Sequence, residues 1–171
     1  MTAPTNWLVA NESFVPRRGD AVDVACGTGR HALWLANRGL STLALDRDAD
    51  AIDRLNDEAA RRALTLRAEV VDLEDGQATL TPSAYDVIVV VHYLHRPLFP
   101  VLIAALRPGG VLVYETFTRA QAARGKPTNP AFLLEPGELV ELVRPLDIVA
   151  SREGDYEGRC VAGVVACRGR L

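Results

Sequence analysis

The sequence predicts an α/β protein whose seven strands form one mixed, doubly wound sheet with helices on both faces. Three observations carry this. Short β-branched runs alternate along the chain with stretches of helical period. One run, Val87 to Val91, is apolar without interruption, as a parallel strand covered on both faces must be. Finally, only eight residues separate Ser151 from Cys160. A parallel crossover needs a dozen or more, so the last strand should run antiparallel to its predecessor.

The elements follow in order. Ala21 to Ala25 is an apolar run that ends in glycines, a buried strand that turns abruptly. Arg30 to Asn37 has helical character and meets Arg38-Gly39, a glycine stop. Ser41 to Leu45 is the second strand, closed by the acidic turn Asp46-Arg47-Asp48. Asp48 or Asp50 can cap a helix in which Ile52, Leu55 and Ala59 share one face. Leu64, Leu66, Ala68 and Val70 alternate with polar residues and form a third strand that ends at Asp72. The polar stretch from Leu73 to Ala84 predicts a short helix or none. Tyr85 to Val91 is the fourth strand, and Pro97 opens a helix through Phe99, Leu102 and Leu106 that stops at Arg107-Pro108-Gly109-Gly110. Val111 to Glu115 is the fifth strand. A loop without clear period runs from Phe117 to Leu134, and Pro136 opens a last helix with Leu139, Leu142 and Val143. The strands Asp147 to Ser151 and Cys160 to Cys167 finish the sheet.

With 171 residues, 49% of them hydrophobic, the chain suits a single domain, with a core over about 20–168 and residues 1–19 as an N-terminal cap segment. Its 22 acidic and 19 basic residues give a net charge of −3, so no basic face for nucleic acid is expected. No apolar run approaches the ~20 residues that span a bilayer. The opening MTAPTNWLVANESF lacks a basic start followed by an apolar stretch, and the three cysteines are sparse and odd in number. A cytoplasmic location is the expectation. No metal site is predicted, since His92 and His95 follow a strand and no third ligand accompanies them.

Chemistry concentrates at the first strand-to-helix turn, Asp23-Val-Ala25-Cys26-Gly27-Thr-Gly29. Glycines there let backbone approach a ligand, and the helix N-terminus offers free N–H donors. Gly27-Thr-Gly29-Arg-His-Ala32 also satisfies the G-x-G-x-x-A dinucleotide pattern, with Asp46 placed 19 residues after Gly27. Three features favour another ligand. Asp23 precedes the glycines and suits a cation better than a pyrophosphate. Asp72-Leu73 ends the third strand, where a carboxylate and the next N–H can read an adenine edge. The terminal hairpin makes the sheet mixed.

Taken together, DVACGTGRHALWLANRG, ALDRD, VVDLED, YDVIVVVHYLH and LRPGGVLVYE resemble the class I S-adenosylmethionine (SAM)-dependent methyltransferase family, most nearly its small tellurite-resistance-type branch. The resemblance covers about residues 20–168 and implies a Rossmann-like sheet of order 3-2-1-4-5-7-6 with strand seven antiparallel. It implies SAM as cofactor and S-adenosylhomocysteine as product. Asp23, Ala25, Gly27 and Gly29 would line the methionine moiety, Asp46 would hold the ribose hydroxyls, and Asp72 with Leu73 the adenine, with Cys26 and Arg47 also among the cofactor-binding residues. His92 would border the methyl group. Ala25 stands where the family has its first loop glycine, which is tolerable if its φ stays negative. No N/D-P-P-Y/F/W tetrapeptide follows the fourth strand, which removes support for the amino-group and adenine methylating branches.

His92 is a candidate general base because imidazole titrates near neutral pH. Tyr114 and Glu115 end the fifth strand facing opposite ways, and Glu115 is the second catalytic candidate. Arg119, Arg124 and Lys126 make the following loop either an ordinary solvated one or a lid that attracts an anion. The expected activity is methyl transfer to a small or modest-sized acceptor. The alternatives are a non-catalytic SAM-binding partner subunit and an NAD(P)-dependent oxidoreductase. The acceptor and the oligomeric state are left open.

Overall fold

Five consecutive β-branched residues cannot be half solvated. In the computed structural model, which describes residues 3–76 and 80–169, all of Val87 to Val91 are buried. They lie in β4 (Tyr85–Val91), central in a seven-stranded sheet with β1 (Asp20–Val24), β2 (Ser41–Asp46), β3 (Leu66–Val70), β5 (Leu106–Phe117), β6 (Asp147–Tyr156) and β7 (Arg159–Cys167). The order is β3-β2-β1-β4-β5-β7-β6. The first five strands are parallel, and β7 is antiparallel to both β5 and β6. Strand order reverses between β1 and β4, and in such sheets a crevice opens at that switch, beyond the carboxyl ends of the strands.

Alternation along β4 divides the core. Ile88 and Val90 face Phe99, Leu102 and Leu139 from α4 (Phe99–Ala105) and α5 (Glu138–Leu142). Val87, Val89 and Val91 face Leu35 of α2 (Arg30–Asn37) and Trp7 and Leu8 of α1 (Asn6–Ala10). The thirteen-residue α3 (Ala49–Arg61) covers β2 and β3 with Ala51, Ile52, Leu55 and Ala59, and Asp48 is its cap, accepting from Ala51 N–H at 3.1 Å. Among the described residues no helix is long and apolar enough to cross a membrane.

Several boundaries differ from expectation. Leu106 belongs to β5 rather than to α4. It pairs with Tyr85 before residues 107–110 swing out and pairing resumes at Val87 and Val111. Val70 does not share the burial of Ala68: at the strand tip beside Asp46, clear of the α3 cluster, it is 54% exposed. Residues 73–76 and 80–84 carry no helix, and 77–79 of the same polar stretch lie outside the described residues. Helix α5 starts after Pro136, with Gly137 at its cap in the left-handed region. The last two strands are longer than expected because the hairpin between them is a two-residue turn. Glu157 and Gly158, both at positive φ (56° and 75°), match the twist of the flanking strands.

Candidate functional site

At the end of β1 the chain must leave the sheet sharply, and it does so through left-handed residues: φ is 56° at Ala25, 54° at Gly27 and 78° at Gly29. The expected negative φ at Ala25 is therefore corrected. The turn bends back so that Cys26 N–H donates to the Leu45 carbonyl at 2.9 Å, which ties the loop to β2. A residue with a Cβ holds that conformation at a cost of about 1–2 kcal/mol. The two glycines differ in purpose. A Cβ on Gly29 would come within 2.4 Å of Leu55, so this glycine serves the packing of α3 against the loop. Nothing stands within 4 Å of a Cβ on Gly27, which leaves that backbone open.

Asp46 is oriented by its neighbours. Its Oδ2 accepts from Gly27 N–H at 2.7 Å and its Oδ1 from Asp48 N–H at 3.1 Å. Asp72 Oδ1 likewise accepts from Glu74 N–H at 2.9 Å. Each oxygen retains a second lone pair. These tips border a cleft of about 270 Å³. One end is charged, with Asp46, Arg47, Asp72 and Glu74 beside Val71 and Leu73. Ala25 lies between the two ends. The other is walled by His92, Tyr93, Leu94, Phe117, Pro127 and Phe132.

His92 leaves β4 with φ 58°, and its N–H donates to the Glu115 carbonyl at 2.8 Å. Its ring stacks on Phe117 with centroids 4.6 Å apart. Burial, then Arg159 and Arg30, push its pKa down to about 4, so it is a neutral imidazole at pH 7. Ala25, Asp46, Arg47, Asp72, Leu73 and His92 are thus brought together on one cleft.

The remaining predicted residues lie off it. Asp23 is buried and accepts from Ala32 N–H of α2 at 2.9 Å, and burial raises its pKa to about 7. Cys26 packs with Ala44 and Ile52, and burial pushes its thiol far above the usual range. Glu115 is 3% exposed on the α1 face and pairs with Arg152. Burial raises its pKa, while that guanidinium opposes the rise. Tyr114, on the opposite face, stacks on Phe99 and donates to the Tyr93 carbonyl at 2.7 Å.

Glu74, Tyr93, Phe117, Pro127 and Phe132 complete the cleft, and residue-level reading of the sequence singled out none of them. Phe117 could have been found by continuing the alternation of β5 two residues past Glu115. Phe132 offers no comparable local signal. The donor set suits an adenosyl group. Two oriented carboxylates and the amide of Leu73 could offer acceptors and a donor to a ribose and an adenine, while Gly27, whose N–H is already given to Asp46, adds open space rather than a donor.

Known proteins agree with this geometry. A profile described as a methyltransferase domain matches residues 21–110. Over 96 residues the chain is 35% identical to hemagglutinin 1 of Eikenella corrodens, a match covering 52% of this chain and 31% of that protein. The structure of TehB from Haemophilus influenzae superposes with a TM-score of 0.82 at 18% identity, covering 98% of this chain and 63% of TehB. A SAM-dependent methyltransferase from Mesorhizobium loti gives 0.74 at 19% identity, covering 94% and 96%. The chain therefore spans less than two thirds of hemagglutinin 1 and of TehB, while the Mesorhizobium loti protein is matched almost end to end. More than half of the sequence lies within the matched domain, glycine loop included, and the chain belongs to the methyltransferase-domain family of class I SAM-dependent enzymes, whose cofactor is S-adenosylmethionine.

Proposed function

We propose that this chain transfers a methyl group from SAM to a small acceptor. The observation that carries the reading is the grouping, on one cleft at the β1–β4 switch, of the loop at Ala25, the carboxylates Asp46 and Asp72, and the strained His92. SAM, when bound, supplies a methyl carbon on a good sulfonium leaving group. The protein's own task is alignment and exclusion of water, for which proximity alone can contribute about 7–11 kcal/mol in well-oriented systems. Asp46 and Arg47 would hold the ribose end, Asp72 and the Leu73 N–H the adenine. Gly27 would admit the methionine portion against bare backbone. His92 borders the place of the acceptor as a neutral imidazole, and with its pKa pushed down to about 4 it is a weak base there.

Titration calorimetry tests the reading. SAM and S-adenosylhomocysteine should bind the wild type and NADH should not. Asp46→Ala and Asp72→Ala should each weaken SAM by about tenfold or more, the usual worth of a charged hydrogen bond. Unchanged affinity in both variants, or binding of NADH alone, would refute it.

A further inference from the structure

The two ends of the cleft differ in chemistry. Its charged lining residues all lie at the tips of β2 and β3, where the reading above places the cofactor. Beyond His92 the wall is Tyr93, Leu94, Phe117, Pro127 and Phe132, whose one side-chain polar atom, the Tyr93 hydroxyl, is buried and bears on Glu74. The basic residues of the loop after β5 do not change this. Arg119 is paired with Glu135 at 2.5 Å and Arg124 with Asp155, and Lys126 is exposed and does not line the cleft. Arg30 and Arg159, which bear on His92, come from α2 and β7, and neither lines the cleft.

Phe132 is 45% exposed, an unusual position for a phenylalanine, and the chain holds it there firmly. Asn129 Oδ1 caps its short turn by accepting from Ala131 N–H at 3.0 Å. Arg96 then grips both neighbouring carbonyls, Ala131 O at 3.1 Å and Leu133 O at 3.0 Å, while its Nε and Nη2 meet the Glu138 carboxylate at 2.5 and 2.8 Å. Leu133 and Leu134 are buried directly after it. The ring is therefore held on a braced turn where it lines the same cleft as the His92–Phe117 stack.

Building on the cofactor reading, we propose that the acceptor is an uncharged molecule with a flat apolar body, seated between Phe132 and the His92–Phe117 stack. Arg96 is the positioning residue that keeps Phe132 in place. A lone aromatic held in water gains nothing until a second apolar face covers it, and flat rings satisfy it best.

The test uses protein saturated with S-adenosylhomocysteine and titrates it with naphthol, naphthoate and inorganic phosphate. Naphthol should bind, and its charged analogue of the same shape and phosphate should bind less well. Phe132→Tyr should retain naphthol, and Phe132→Ala should weaken it about tenfold with S-adenosylhomocysteine affinity unchanged. Arg96→Lys keeps the charge but loses the fork. It should weaken naphthol in the wild type and add nothing in the Phe132→Ala background, where a merely structural role would still show. Absence of heat with naphthol, preference for either anion, or indifference to Phe132→Ala overturns the proposal. If S-adenosylhomocysteine itself fails to bind the wild type, the cofactor reading falls, and this proposal with it.

Discussion

Ala25 and His92 occupy corresponding places at the ends of β1 and β4, and both are left-handed without being glycine. Strain of this kind persists only where the surroundings over-determine it, and it gathers at working sites. Ala25→Gly should relieve it. A gain of about 1–2 kcal/mol at the native residue, less about 0.4–1 kcal/mol of added chain entropy, predicts a net stabilisation of about 0.5–1 kcal/mol. Urea denaturation measures it, and a lower midpoint would refute the account. A second effect concerns protons. His31 is buried, accepts Thr5 N–H at 3.3 Å, and has its pKa pushed down to about 3 by burial first and Arg30 second. Its ordinary value, like that of His92, is near 6.5, so the unfolded chain binds more protons at both imidazoles below that pH. Asp23, raised to about 7 from 3.8, acts in the opposite sense. Glu115, also raised, acts with Asp23, so the prediction is made on the difference: between pH 7 and pH 5 the melting temperature of His31→Gln should fall less, or rise more, than that of the wild type. An identical slope would rule His31 out. That Asp46 and Asp72 share one cleft was legible, because both end neighbouring strands, but the inward turn of Asp23 onto the N–H of Ala32 was not. The sign of φ at Ala25 was not, because it follows from a hydrogen bond to Leu45 in the next strand.

One row across three strands fixes α1. Glu115 pairs with Gly163 of β7, and Gly163 with Arg152 of β6. The space above Gly163 is filled by Trp7, whose Cε2 would lie 2.9 Å from a Cβ there. Arg152 binds Glu115 while its guanidinium sits 4.7 Å from the Trp7 ring and 4.2 Å from that of Tyr156. Removing the cation leaves a buried carboxylate unpaired, so Arg152→Ala should cost about 3 kcal/mol by chemical denaturation, and Glu115→Gln should recover part of that in the double variant. Additive losses would argue against the pair. Gly163→Ala should displace Trp7 and increase proteolysis of the segment preceding β1. Alternation along β5 was readable and placed Tyr114 and Glu115 on opposite faces. The partner of Glu115 was not, since it depends on the register of a hairpin whose turn is 42 residues further along the chain.

The antiparallel seventh strand and the two-sided burial of β4 followed from loop length and hydrophobic pattern, and the sheet order from the family resemblance; all three belong to the whole chain. The walls of the cleft did not, because Phe117, Pro127 and Phe132 are assembled by contacts such as the Arg96 fork, which reaches 35 and 37 residues. At the outer edge, β6 is interrupted between Ile148 and Ala150. Such a bulge twists an edge away from other chains, a safeguard for a strand that exposes Ile148 and Val149. The position of β7 between β5 and β6 governs the order of assembly. During synthesis β6 leaves the ribosome before the strand it must pair with, so it has no berth until the whole hairpin docks on β5. Because β7 aligns Val161 with Phe117 and its Cys160 N–H is held by Gln121 at 2.9 Å, the wall of the cleft at Phe117 sets only once that hairpin has docked.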